Sequence, residues 1–374
     1  MDTYVDSSWY FLRFTSPSEG ARPLDPAKVR YWMAVDQYIG GIEHAVLHLL
    51  YARFFTKVCR DLGLSSVGEP FTNLLTQGMV CKESHRCPTH GYRLPSEVDK
   101  DGRCRECQQR VEVGRTEKMS KSKKNVVDPD DLLSDYGADT IRLFSLFAAP
   151  PEKDLEWSNE GVQGSFRFLQ RVWRLIEERA VLIRCARGVP WPAGEAEEAV
   201  RALRRTTHQT IAKVTRDLED SFHFNTALAS LMELQTALAR FQEQLPTPTE
   251  SGPGIPSARV LAFAEGVLAL VTMLAPFAPH VAEELWEMLG QPESVVRQPW
   301  PAVDPALALE DTLEVVVQVN GKVRARLQVP RGTPEERLRT LALEEPRIGQ
   351  WVEGRAVRKV VVIPDKLVNI VVAA

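Results

Sequence analysis

Trp32-Met33-Ala34-Val35-Asp36-Gln37-Tyr38-Ile39-Gly40-Gly41 is a short apolar run closed by two glycines, and Ile42 to Cys59 then repeats apolar side chains at intervals of three and four. A second apolar run, Asn73-Leu74-Leu75-Thr76-Gln77-Gly78-Met79-Val80, follows a linker that holds Gly63, Gly68 and Pro70. Strand, glycine turn, helix, strand is the order of a βαβ unit. A crossover of that length joins parallel strands, and its expected hand is right-handed. The stretch therefore predicts a parallel α/β sheet.

On its carboxyl side the composition changes. Residues 81–117 are rich in cysteine, proline and glycine and poor in large apolar groups, so they read as an insertion unable to build its own core. Asp128-Pro129-Asp130-Asp131 offers an N-cap, a proline for the first helical turn and carboxylates that suit the helix dipole. Val162 to Arg184, Ala196 to Leu218, Asn225 to Leu245 and Val260 to Leu274 carry helical spacing, separated by Gly188 to Pro192 and by the proline-rich linker Pro246 to Pro256. Amphipathic segments in that arrangement predict an antiparallel helical bundle. After Trp300-Pro301 the period becomes that of strands, at Leu313 to Val319, Val323 to Val329, Val357 to Ile363 and Val368 to Val372, with a helix over Pro334 to Leu343. Asn320-Gly321 between the first two is a hairpin signal.

The 374 residues fit two or three domains, and 44% hydrophobic against 26% charged residues excludes a disordered chain. With 46 basic and 50 acidic residues there is no basic coat for nucleic acid. No apolar run reaches membrane-spanning length, and the amino terminus is acidic where a signal peptide is basic, so a cytoplasmic, non-membrane protein is expected. Six cysteines are too few for a disulfide scaffold, and four of them cluster between Cys81 and Cys107. Cys87-x2-His90 and Cys104-x2-Cys107 form two knuckles whose spacing closes a tetrahedral site, which predicts structural zinc. Cys81 and His85 are spare candidates.

Lys118-Met119-Ser120-Lys121-Ser122-Lys123-Lys124-Asn125 is a basic, hydroxyl-rich loop beyond the carboxyl end of a presumed parallel strand, where open α/β sheets bind ligands. Two lysines three apart with interleaved serines can follow the charge of a polyphosphate through a reaction. Lys118 to Ser122 also resembles the second signature of class I aminoacyl-tRNA synthetases. Met1-Asp2-Thr3-Tyr4-Val5-Asp6-Ser7-Ser8-Trp9-Tyr10, Tyr38 to Tyr51, Gln77-Gly78-Met79-Val80, Tyr136-Gly137-Ala138-Asp139-Thr140-Ile141-Arg142 and Ala148-Ala149-Pro150-Pro151-Glu152 resemble bacterial leucyl-tRNA synthetases, in family order and along the whole chain.

The resemblance implies ATP-dependent activation of leucine to leucyl-adenylate, with Mg2+, then transfer to tRNA(Leu). Lys118 and Lys121 would neutralise the departing pyrophosphate, with Ser120 and Ser122 as positioning donors. Tyr4, Ser7, Tyr10, His44 and His48 would line the leucine pocket. Gly40, Gly41, Glu43 and His44 would approach the adenosine, and the backbone of Met79 and Val80 would meet the adenine. His44 and His48 also have a spacing compatible with metal, although no Glu-x-x-His motif completes it. Asp139, Arg142 and Trp157 fall at the junction of the catalytic fold with the helices. Arginines 167, 171, 174, 201, 204 and 205 lie on the side expected to face tRNA, and Lys322, Arg324 and Arg326 alternate on one strand face suited to phosphate.

The fold class implied is an α/β half of a Rossmann-like parallel sheet with a zinc-ribbon insertion, followed by an α-helical bundle and a small C-terminal α+β domain. The expected divisions are 1–80 with 118–160 for the half catalytic domain, 81–117 for the zinc insertion, 161–300 for the anticodon-binding helices and 310–374 for the tRNA-contacting domain. The family's first signature, His-x-Gly-His, and its inserted editing domain are not in this sequence. The chain is thus expected to be the C-terminal portion of a synthetase, truncated at an internal methionine or partnered by a separate N-terminal synthetase chain. A non-catalytic tRNA-binding module derived from a synthetase is the competing reading, and a zinc-ribbon interaction protein accounts for residues 81–107 alone.

Overall fold

A computed structural model describes residues 4–194, 196–219, 222–246, 256–310 and 312–373. Met1, Asp2 and Thr3 of the first quoted motif, and most of the linker Pro246 to Pro256, lie outside the described residues. The chain forms two compact units, one of Met1–Ala196 with Thr210–Ala302 and the other of Glu197–Gln209 with Val303–Ala374.

In the first unit, β1 (Val35–Gly41) pairs in parallel with β2 (Phe71–Gln77), in register from Val35 opposite Phe71 to Gly41 opposite Gln77. The helix Leu47–Asp61 connects them, so the βαβ order holds. Phe11, Leu12, Leu24, Val29 and Ala52 bury their side chains beneath it, with Phe71 packed alongside. Asp25 caps the helix Pro26–Trp32 by accepting from the amides of Ala27 and Lys28. The boundaries differ from the sequence reading in two places. Gly40 and Gly41 are strand residues paired with Thr76 and Gln77, and a 3-10 turn, Ile42–His44, precedes the helix. Val80 does not close the second strand. It opens β3 (Val80–Cys87), which belongs to another sheet. The reason lies at Gly78, where a Cβ would meet the Lys153 carbonyl carbon and oxygen at 2.2 Å, so only a glycine lets the chain cross there.

The second sheet has the order β4 (Gly91–Arg93), β3, β5 (Glu112–Lys118), all antiparallel, and β6 (Leu155–Glu156) adds to β3 in parallel. The segment between β3 and β5 buries little besides Cys87, Cys104 and Val111. Beyond it come the helices Pro129–Tyr136, capped by Asp128, and Ala138–Phe147. Val162 to Arg184 is not one helix. Asn159–Glu177 and Ala180–Cys185 are separated at Glu178 and Arg179, where the Arg179 guanidinium turns to the carbonyls of Gln242 and Pro246. The helix Ala258–Leu274 is apolar except at Arg259, Glu265 and Thr272 and is correspondingly buried along nearly its whole length, against Phe224–Phe241, Pro279–Met288 and Ala180–Cys185.

The second unit is a four-stranded sheet in the order β8 (Lys322–Pro330), β7 (Thr312–Val319), β10 (Leu367–Val372), β9 (Val357–Ile363), with β10 and β7 parallel and the other neighbours antiparallel. Val315, Val317, Val368 and Ile370 from the sheet pack on Leu338, Ala342 and Ile348. Those three come from the helices Glu335–Glu344 and Pro346–Val352. Asn320 and Gly321 turn the β7–β8 hairpin with φ of 48° and 79°. On β8, the Arg324 guanidinium lies 3.5 Å from the Trp351 ring centroid and Arg326 pairs with Glu314 at 2.6 Å, so two of the three basic residues of that strand are engaged within the unit. Among the described residues no helix is long and apolar enough to cross a membrane.

Candidate functional site

The basic loop starts where β5 ends, so it follows a strand antiparallel to β3 and not the parallel strand expected from the sequence. The Met119 amide donates to the Val80 carbonyl at 3.0 Å, Lys121–Lys123 form one 3-10 turn, and Lys124 ends it in the left-handed region with φ of 51°. Asn125 is buried beneath the loop. Its Oδ1 accepts from the Ser120 amide at 2.9 Å and its Nδ2 donates to the Lys82 carbonyl at 3.0 Å, so one carboxamide ties the loop to β3. The hydroxyls of Ser120 and Ser122 lie 3.2 Å apart. Lys118 faces Glu43 at 3.6 Å, Lys123 pairs with Glu117, and Lys124 pairs with Glu97 at 3.2 Å. Lys121 is exposed, and its ammonium has no ion-pair or hydrogen-bond partner among the described residues. The Glu43 carboxyl is held below its usual range by its own backbone N–H and then, against some desolvation, by the charges of Lys118 and His44. It also leans over Gly41, where a Cβ would meet the Glu43 carboxylate at 2.2 Å, whereas the space beside Gly40 is open.

Next to the β1 end lies a chain of polar rings. The Tyr10 and Tyr38 hydroxyls are 2.7 Å apart, and the Tyr38 hydroxyl is 2.8 Å from His48 Nε2. Tyr38 stacks flat on Phe71 at 3.8 Å, and His44 meets His48 edge-on at 6.2 Å. Burial, aided by the Tyr10 hydroxyl, pushes the Tyr38 phenol well above its ordinary value. Burial and the neighbouring His44 lower the His48 imidazole, which favours the neutral ring. Of the expected pocket residues, Tyr10 and His48 are therefore joined through Tyr38. Tyr4 stacks on Tyr51 at 5.9 Å, and Ser7 sits half-buried in the 3-10 turn Asp6–Ser8. Tyr38 is not singled out from the sequence as a site residue, because a tyrosine following Asp36 and Gln37 in β1 carries no local signal of its partners Tyr10 and His48. His44 and His48 belong to no metal-type cluster among the described residues.

At the β2–β3 crossing, the Met79 amide donates to the Asp154 carboxylate at 2.8 Å and its carbonyl accepts from Leu155 at 2.8 Å. Both Met79 backbone groups are thus used within the fold. Val80, Gly78, Pro151 and Trp157 border a cavity of about 200 Å³ there. Asp139 lies elsewhere, capping the helix Pro279–Met288 through the Val281 amide at 2.7 Å and His280 at 2.8 Å, while Arg142 donates to the carbonyls of Pro276 and Phe277 and Trp157 packs edge-on against Phe144.

The Cys and His knuckles converge. The ligand atoms of Cys87, His90, Cys104 and Cys107 all lie within 4.8 Å of one another, with Cys87 and Cys107 sulfurs 3.4 Å apart and His90 Nδ1 3.7 and 3.6 Å from Cys87 and Cys104. A tetrahedral shell with bonds of about 2.3 Å to sulfur and about 2.0 Å to nitrogen has ligand separations of this size, so the residues fit zinc. His90 Nε2 faces the Glu106 carboxylate at 3.5 Å, the outer carboxylate that orients many metal-bound imidazoles. Burial raises the Cys87 thiol, but the N–H groups of His90 and Thr89 and the Cys107 sulfur outweigh it and bring it below its ordinary value. The backbone N–H of Cys107 likewise lowers Cys104. The spare candidates Cys81 and His85 do not join the group.

Two family models match the chain. "tRNA synthetases class I (I, L, M and V)" covers residues 109–158, which include the basic loop, and "Anticodon-binding domain of tRNA ligase" covers residues 200–339. The leucine--tRNA ligase of Syntrophus aciditrophicus (strain SB) is 52% identical over 376 residues, and that of Magnetococcus marinus is 50% identical over 375 residues. The first match takes in all of this chain, the second 99% of it, and each takes in 42% of the relative. The chain thus spans less than half the length of the curated relatives it matches. Among solved structures, the ternary complex of Agrobacterium radiobacter K84 agnB2 LeuRS-tRNA-LeuAMS superposes with a TM-score of 0.77 at 34% identity, covering 100% of this chain and 43% of that one. Mycobacterium tuberculosis methionyl-tRNA synthetase, at 18% identity and a TM-score of 0.51 over 77% of this chain and 50% of its own, shares the fold. Mixed α/β sheets followed by many helices are thus a class I synthetase-like fold, and over its whole length the chain is homologous to the C-terminal portion of leucine--tRNA ligases.

Proposed function

We propose that the chain supplies the signature-loop half of a leucine--tRNA ligase active site, together with its tRNA-facing helices and C-terminal domain. The observation that carries this reading is the placement of Lys118 against Glu43, because it puts the cationic loop beside the carboxyl end of β1, the edge at which parallel α/β sheets take nucleotides.

In this reaction the leucine carboxylate attacks the α-phosphorus of ATP, pyrophosphate leaves, and the leucyl group then passes to the terminal ribose of tRNA(Leu). Lys121, with no internal partner among the described residues, has an ammonium free to follow the charge on the leaving pyrophosphate, and Lys118 supplies a second charge from the end of β5. Ser120 and Ser122 present hydroxyls to the same phosphates. Open space at Gly40 admits close approach of a ribose, with Gly41, Glu43 and His44 beside it, and Met79 and Val80 edge the adenine side. Tyr10, Tyr38 and His48 form one wall of the leucine pocket, with Tyr4 and Ser7 further along. No proton transfer by a side chain is needed, so rate comes from positioning and charge. Magnesium in this reading travels with the ATP phosphates. The Cys87, His90, Cys104 and Cys107 centre would hold a structural zinc.

Ile39, Leu47, Leu50, Phe54 and Leu74 are each about half exposed around β1, β2 and their connecting helix. An apolar surface of that kind is suited to cover by the rest of a catalytic fold, from the same polypeptide or a separate synthetase chain. Leucine-dependent exchange of pyrophosphate into ATP, measured with and without the complementary amino-terminal half of a relative, tests the proposal. Exchange that appears on complementation supports it. Silence in both arms, with tRNA binding retained, replaces it with the non-catalytic tRNA-binding module.

A further inference from the structure

Between the Cys/His centre and the basic loop runs an unbroken series of polar contacts. His90 Nε2 faces Glu106 at 3.5 Å, Glu106 pairs with Arg93, Arg93 reaches Glu97 at 3.3 Å, and Glu97 reaches the Lys124 ammonium at 3.2 Å. Arg93, on β4, keeps only 6% of its surface exposed, and its guanidinium is held between two carboxylates. Glu97 is fixed in turn by accepting from the Leu94 amide at 2.7 Å, and that amide, then Lys124 and Arg93, hold its carboxyl below the usual range and therefore charged.

We propose that Arg93 and Glu97 are positioning residues that couple metal occupancy of the Cys87–His90–Cys104–Cys107 centre to the conformation of the Lys118–Asn125 loop. The proposal rests on the reading of that loop as the phosphate-handling segment and of the centre as a metal site. The point of action is Lys124. It ends the 3-10 turn that carries Lys121, and its left-handed backbone is costly for a side chain other than glycine. Holding the Lys124 ammonium on Glu97 fixes that turn from outside, which matters because Lys121 has no partner of its own among the described residues. The Glu97–Lys124 contact is partly solvated and worth little alone, whereas a buried guanidinium that loses one carboxylate must rearrange. Disturbance at His90 or Glu106 is therefore transmitted through Arg93 and not absorbed by solvent.

The test is hydrogen exchange across residues 118–125 of the zinc-loaded chain, with zinc content measured in the same samples. Chelation is expected to speed loop exchange about tenfold while the buried helix Ala258–Leu274 is unchanged. Arg93→Met and Glu97→Gln are expected to speed it several-fold with zinc retained, Lys124→Met to do the same, and Lys124→Arg, which keeps the charge, to leave it near the starting rate. Should Arg93→Met lose zinc, Glu97→Gln, one contact further from the centre, decides the matter. Unchanged loop exchange in zinc-retaining Glu97→Gln, or after chelation, overturns the coupling. A normal loop response in a chain that supports no pyrophosphate exchange on complementation would uphold the coupling and end the functional reading instead.

Discussion

The Lys118 ammonium stands 3.6 Å from the Glu43 carboxylate, joining the last residue of β5 to the turn that follows β1. These residues are 75 positions apart in sequence, one the last residue of β5 and the other two residues beyond the end of β1. The pair is solvent-facing and contributes little to stability. Its importance is geometric, since it sets the loop lysines and the glycine-edged end of the parallel pair around one space.

Lys121→Ala, in a chain complemented with the amino-terminal half of a relative, should lower the maximal rate of leucine-dependent pyrophosphate exchange by about 10²-fold while changing the KM for ATP much less. Its thermal midpoint should not move, because the side chain is exposed and makes no contact to lose. Loss of affinity with an unchanged maximal rate would contradict the assigned role.

His48 gives a pH dependence of defined sign. Its folded-state pKa lies below the ordinary 6.5, so the unfolded chain binds the proton first as pH falls. The stability that the neutral ring supplies is complete above about 6.5 and is lost as pH drops from there through the lower folded value. Urea midpoints should fall between about pH 7.5 and about pH 5.5, and His48→Gln should flatten that part of the profile.

Asn125→Ala removes the acceptor for Ser120 and the donor for Lys82 from a buried position. A cost of about 1–3 kcal/mol is expected, with faster proteolysis in the 118–125 loop ahead of global unfolding. Equal protection of the loop in variant and parent would show that the carboxamide does not hold it.

Gly78→Ala and Gly40→Ala make a contrasting pair. At Gly78 the added methyl collides with the Lys153 backbone, so a loss of about 1–3 kcal/mol is expected in chemical denaturation. At Gly40 the methyl enters open space and stability should stay within about 0.5 kcal/mol, while nucleotide use by a completed enzyme suffers.

Purified protein is expected to hold about one zinc per chain, and Cys104→Ser to hold far less. Chelation should unfold the segment between β3 and β5, whose buried core consists largely of its own ligand sulfurs, as judged by new protease cuts between residues 88 and 111.

What the sequence disclosed follows from how local each feature is. The Asn320-Gly321 hairpin was legible because both residues take positive φ, a demand that two-residue turn places on its own sequence. The strand–helix–strand order of residues 32–80 was legible from periodicity, and the convergence of the four Cys and His residues from their spacing. The change of sheet at Val80 was hidden, since it is enforced by the Lys153 backbone far along the chain. The break at Arg179 was hidden for a similar reason, because apolar spacing continues through it while its guanidinium caps carbonyls of a distant segment. Tyr38, Asn125, Arg93 and Glu97 gain their meaning only from neighbours that folding brings to them.

Because no side chain intervenes where Gly78 meets Lys153, the chain passes from the parallel pair to the antiparallel sheet main chain against main chain. Exchanging side chains in the walls on either side would leave that backbone contact, and with it the step from one sheet to the next, as it is.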